Sequence, residues 1–157
     1  MRKFFIAAIM LAGVATPCAA DDRADIVAAA NGLTTAWRTA DAALEDRILH
    51  TEFRLTTLQD DPKGRRVNLD TREHLISIMS HLHPGDWDDR LSDFRVDIDS
   101  NGLATLWARY VFAIGGAPHH CGHVSMQLYK TPAGWKVVSF ADTHNNLEGR
   151  SVRVVCP

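Results

Sequence analysis

Three histidines and a cysteine fall within five residues at His119, His120, Cys121 and His123, and Asp142 and His144 close the strand that follows. Imidazole and carboxylate groups move protons near neutral pH and also ligate transition metals, so two kinds of chemistry compete here. The acid–base reading takes His120, Asp142 and His144, with Tyr110 as a hydroxyl donor. At the mouth of an apolar cavity, desolvation would move such groups toward the working pH. The bland alternative makes His120 a satisfied core histidine and Asp142 a lock on the strand end. The metal reading takes His119, Cys121 and His123, which alternate along a strand, project to one side and suit zinc or copper. Against it stand Pro118, which disturbs the parity at His119, and the lack of a fourth ligand. The primary expectation is therefore no metal and no cofactor. His81 and His83 at a helix end are a weaker pair. Gly115-Gly116 is a turn with no helix after it, which excludes a phosphate loop.

The elements that position these residues are legible around them. Leu103–Ile114, a Gly-Gly turn, the run to Tyr129 and the stretch from Trp135 to His144 read as three long strands joined by turns. On the middle strand Val124, Met126 and Leu128 share a face with His120 and Gly122. Leu106, Ala108, Tyr110 and Phe112 form the matching apolar set on the strand before. Val124, Met126 and Phe112 are therefore expected to line an interior cavity. The last strand is apolar on both parities, so alternation does not place Asp142 or His144.

Upstream, Ile26, Ala29/Ala30, Leu33 and Trp37 recur at three-to-four spacing, an amphipathic helix over 25–39. Asp41 caps a second, short helix. Phe53–Leu58 and Arg65–Leu69 flank a charged turn, and Asp70-Thr71-Arg72-Glu73 has the form of a capping box opening a third helix. Residues 88–99 alternate as a strand, and Asn101-Gly102 is a tight-turn signal. Two helices, two strands, a helix and four strands make an α+β chain whose sheet curls around its helices.

At the start of the chain, Arg2 and Lys3 precede an apolar run, and Cys18-Ala19-Ala20 offers a small-residue cleavage site. This is read as a signal peptide over 1–20, cleaved after Ala20, and too short in its apolar run to span a bilayer. The 137 residues that remain are sized for one domain over 21–157, periplasmic or secreted. Without Arg2 and Lys3 the formal charge of the 157-residue chain falls from −2 to −4, which leaves no basic surface for nucleic acid or anionic membrane. Cys121 and Cys156 then read as a disulfide, given the oxidising compartment. The closed loop would contribute roughly 3 to 4 kcal/mol in chain-entropy models.

Ala36-Trp37 before Asp41, His120-Cys121-Gly122, Gly134-Trp135-Lys136-Val137 and Asp142-Thr143 give the chain a resemblance to a known family. It resembles the nuclear-transport-factor-2-like superfamily, in its SnoaL-like and ketosteroid-isomerase-like branch, over nearly the whole mature chain. The resemblance implies a cone, a curved sheet wrapped over three helices with a pocket at its open end and Trp37 beside it. It also implies a small-molecule ligand, possible cofactor-free isomerase, dehydratase or cyclase chemistry, and a homodimer formed through the sheet. A dimerisation module whose pocket is filled by its own side chains is the alternative.

Overall fold

A computed structural model describes residues 19–61 and 64–146. Helix α1 spans Ala19–Thr39, α2 Ala42–Ile48 and α3 Arg72–Met79. The strands are β1 (Leu49–Asp61), β2 (Gly64–Thr71), β3 (Trp87–Ile98), β4 (Leu103–Ile114), β5 (Ala117–Thr131) and β6 (Gly134–Asn146). They form one curved, unclosed sheet in the order β2-β1-β6-β5-β4-β3. Every neighbouring pair is antiparallel except β1 with β6, which are parallel. The α+β class and the sheet wrapped around helices are as the sequence suggests.

The helical stripe works as its spacing requires. Ile26, Ala30, Leu33 and Trp37 are all buried, and they pack with Leu106, Met126, Leu128 and Phe140 from the sheet. Asp41 caps α2 by accepting from the Leu44 N–H at 2.8 Å. The α3 cap lies one residue later than the capping-box pattern places it. Thr71, not Asp70, accepts from the His74 N–H, at 3.3 Å, while Asp70 pairs with the His74 ring at 2.7 Å.

Two bulges decide which side chains face inward. In β3, Asp93 takes a positive φ of 54°, and the register with β4 slips between Ser92 and Arg95. One extra residue reverses the alternation there. Leu91 and Val96 thus both pack against the core although an odd number of positions separates them. Between β4 and β5, Phe112 pairs with His120 but Ala113 pairs with Pro118, so His119 is the inserted residue.

Candidate functional site

A cavity of about 210 Å³ opens between the sheet and the helices. Its apolar wall is built from Trp37 on α1, Leu75 on α3, Trp87 on β3, Phe112 on β4 and Phe140 on β6. Trp37 meets Phe140 edge to face with centroids 5.5 Å apart, and Trp87 meets Phe112 likewise at 5.6 Å. The indole N–H of Trp37 donates to the buried Glu45 carboxyl at 2.7 Å, which leaves its ring to face the cavity as an apolar surface.

The polar side of the same cavity carries Asp89, Tyr110, His120, Asp142 and His144. Period-two alternation along β6 brings Phe140, Asp142 and His144 to one face. His144 Nε2 stands 2.8 Å from Asp142 Oδ2. Tyr110 directs its hydroxyl at Asp142 Oδ2 (3.2 Å) and at the Thr143 carbonyl (3.0 Å). His120 lies between Phe112 and His144, stacked on both, with centroids 4.7 Å and 3.8 Å away.

No protein-family model matches the sequence, and no curated protein matches it. The three-dimensional arrangement does have relatives among solved structures. A protein of unknown function from Mycobacterium tuberculosis superposes with a TM-score of 0.65 at 15% identity, over 90% of this chain and 84% of its own. An NTF2-like protein with a cystatin-like fold from Novosphingobium aromaticivorans gives 0.64 at 16% identity, covering 85% and 86%. An NTF2-like superfamily protein from Salmonella enterica gives 0.63 at 15%, covering 85% and 98%. The chain has the nuclear-transport-factor-2-like fold.

Within this NTF2-like cone, the four residues of the acid–base reading are brought together. Tyr110 differs in part from its expected role, because its single proton is committed to Asp142 and the Thr143 carbonyl. It holds Asp142 in place and has no proton left for a ligand. Of the expected lining residues, Trp37 and Phe112 face the cavity. Val124 and Met126 do not: both are fully buried in the core cluster and are absent from the cavity wall. Parity placed them on the correct face, but they lie at a part of β5 that the helices cover.

The strip of His119, Cys121 and His123 is not a ligand set. The bulge displaces His119, whose Nδ1 sits 2.8 Å from His120 Nδ1. His123 stacks on Trp107 at 5.2 Å, on the face away from the cavity, and Cys121 is fully buried. The expected partner of Cys121, Cys156, lies outside the described residues, as do residues 1–18 of the stretch expected to be a signal peptide.

Burial sets the protonation states. Desolvation, reinforced by His144 and His119, lowers His120 to about 3, so it is a neutral imidazole at ordinary pH. Desolvation, then the charges of Asp142 and Asp88, raises Asp89 to about 8, so at neutral pH this carboxyl keeps its proton. Tyr110 is pushed well above its usual value by burial and by Asp142. Glu45 is raised to about 7, because burial outweighs its bond from Trp37.

Sequence reasoning missed Asp89, which lines the cavity, and Glu45, which lies outside the lining and holds Trp37. For Asp89 a signal exists: stepping back by two from Leu91 reaches Asp89 and Trp87, both cavity residues. For Glu45 there is none, since nothing local marks one helical glutamate as the buried one.

Proposed function

We propose that this protein binds a small, largely apolar molecule in its cone. The reading rests on one observation, an aromatic-walled cavity with the buried Asp89 carboxyl and an Asp–His pair on the same lining. An apolar cavity of about 150 Å³ holds a benzene molecule. At about 210 Å³ the present one suits a single ring with one or two small substituents. Such a ligand would place its ring among Trp37, Phe112 and Phe140 and a carbonyl or hydroxyl oxygen toward the polar side.

The polar groups also support proton transfer without a cofactor. Asp142 engages the Nε2 side of His144, which leaves the other ring nitrogen to accept a proton with the Asp142 carboxyl beside the ring. Protonated Asp89 is a donor for an oxygen that gains charge. This is the chemistry of an isomerase, dehydratase or cyclase, in keeping with the resemblance to the SnoaL-like branch. The open cavity favours this reading over a module with a filled pocket. Exposed Trp107, Val111 and Tyr129 on the outer sheet face support a homodimer as well. The export reading completes the proposal, with cleavage after Ala20 and a periplasmic or secreted mature chain.

Native mass spectrometry of the protein purified from the periplasm tests it. An organic molecule retained one per chain, and lost when Phe112→Trp fills the cavity, is the expected result. A bare parent chain, or retention unchanged in Phe112→Trp, overturns the ligand assignment. The denatured mass reads the cleavage point directly.

A further inference from the structure

The geometry points to a divalent transition-metal site formed by His120, Asp142 and His144. One ligand atom from each residue can be chosen so that all three lie within 4.8 Å of one another. The closest pair, His144 Nε2 and Asp142 Oδ2, is already 2.8 Å apart. Ligands at ~2.0–2.2 Å from a zinc-like ion are separated by roughly 3 to 3.5 Å, so a cation needs this pair to open slightly and the stacked His120 and His144 rings, centroids 3.8 Å apart, to turn until both nitrogens face it.

The surroundings are those a metal site requires. His120 has its Nδ1 engaged with His119 Nδ1, which leaves Nε2 as the free nitrogen. Asp142 Oδ2 is held by the Tyr110 hydroxyl. Outer hydrogen bonds of this kind fix the ring tautomer and orient the carboxylate. Asp142 is only 7% exposed, and its Oδ1 is buried with no hydrogen-bond partner among the described residues. A desolvated carboxylate oxygen without a partner is costly, and a cation held by both Asp142 oxygens would satisfy it. Two imidazoles and one carboxylate select zinc, cobalt or iron(II) over magnesium or calcium, which prefer all-oxygen shells. Three protein ligands beside an open cavity leave a coordination position for water or a ligand, the pattern of reactive rather than structural sites.

This site shares residues with the organic-ligand cavity but is read by its own test. Metal uptake without the molecule, and uptake of the molecule without metal, are separate outcomes. Metal-bound His144 would also cease to serve as a free base, so the two states are exclusive in any one molecule.

The test is a titration of the untagged, chelator-treated protein with Co²⁺ alone, followed by visible absorbance and calorimetry, with Mg²⁺ as comparison. One Co²⁺ per chain is expected, with the visible bands of a four- or five-coordinate ion and no Mg²⁺ uptake. His120→Ala, His144→Ala and Asp142→Asn should each weaken binding by at least about tenfold, whereas His123→Ala on the outer face binds as the parent does. Circular dichroism melts establish that each variant is folded, and Asp142→Asn, which preserves shape, decides the matter if the alanine variants unfold. No Co²⁺ uptake by the parent overturns the site. So does binding that survives Asp142→Asn unchanged, or that disappears in His123→Ala.

Discussion

Thr143 passes so close to Gly122 that a Cβ on residue 122 would stand 1.9 Å from the Thr143 carbonyl oxygen and 2.7 Å from its Oγ1. The same threonine hydroxyl accepts from the His123 N–H at 3.1 Å. This tight seam sets where β6 lies against β5, and therefore where Asp142 and His144 project. Glycine is required at 122 by space, since its backbone φ is ordinary. Gly122→Ala should force the strands apart and cost about 3 kcal/mol or more, at the upper end of overpacking effects. A urea melt reads the loss. A variant as stable as the parent would show that β6 yields freely there.

Tyr110→Phe removes the hydroxyl that holds Asp142 and the Thr143 carbonyl. A buried bond to a charged group contributes about 1.5 to 3 kcal/mol, and the carboxylate would lose its support. The expected outcome is destabilisation of that order, together with weakened binding of any cavity ligand. Thermal denaturation and the ligand titration measure the two effects separately.

The raised value of Asp89, from its ordinary 3.8 to about 8, makes a signed prediction. At low pH the folded and unfolded chains both hold the proton. As pH rises from about 4 to about 8, the unfolded chain ionises while the buried carboxyl stays neutral, so this residue's contribution to stability falls and then levels off. Asp89→Asn keeps the neutral shape and abolishes the dependence. Relative to the parent, the variant should gain about 5 kcal/mol between pH 4 and pH 8. Melts across that range check it, and parallel curves for the two proteins would mean that Asp89 is ionised in the fold.

The cysteines provide a covalent check. Cys121 is fully buried in β5, and we expect it to be bridged to Cys156. Exported protein, denatured without reductant, should show no free thiol, and reduction should lower its stability by roughly 3 to 4 kcal/mol. Two titrating thiols in the unreduced form would exclude the bridge.

Phe112→Ala enlarges the cavity and takes away the ring stacked on His120. Loss of a partly buried phenylalanine is expected to cost about 3 kcal/mol, and the larger cavity should accept a bulkier ring than the parent does. Comparing retained ligands by native mass spectrometry reads this change in size selection.

Local chemistry was enough to specify much of this protein. Three-residue and four-residue spacing fixed which face of α1 is buried, Asp41 announced the α2 cap, and alternation along β4 and β5 put Tyr110, Phe112 and His120 on the interior face. Those patterns are properties of single elements, and their period is set by backbone geometry. What escaped them depends on contacts between elements. Alternation was uninformative for β6, and only its packing against β5 at Gly122 directs Asp142 and His144 inward. The Asp93 bulge reverses β3, while the insertion of His119 dissolves the histidine–cysteine strip that a regular strand would have formed. Val124 and Met126 are core because helices happen to cover them, and Glu45 is buried because Trp37 reaches it. Neighbours far apart in sequence decide burial and hence charge state, so the fold could be read from the chain while the polar cluster had to be assembled by the tertiary structure.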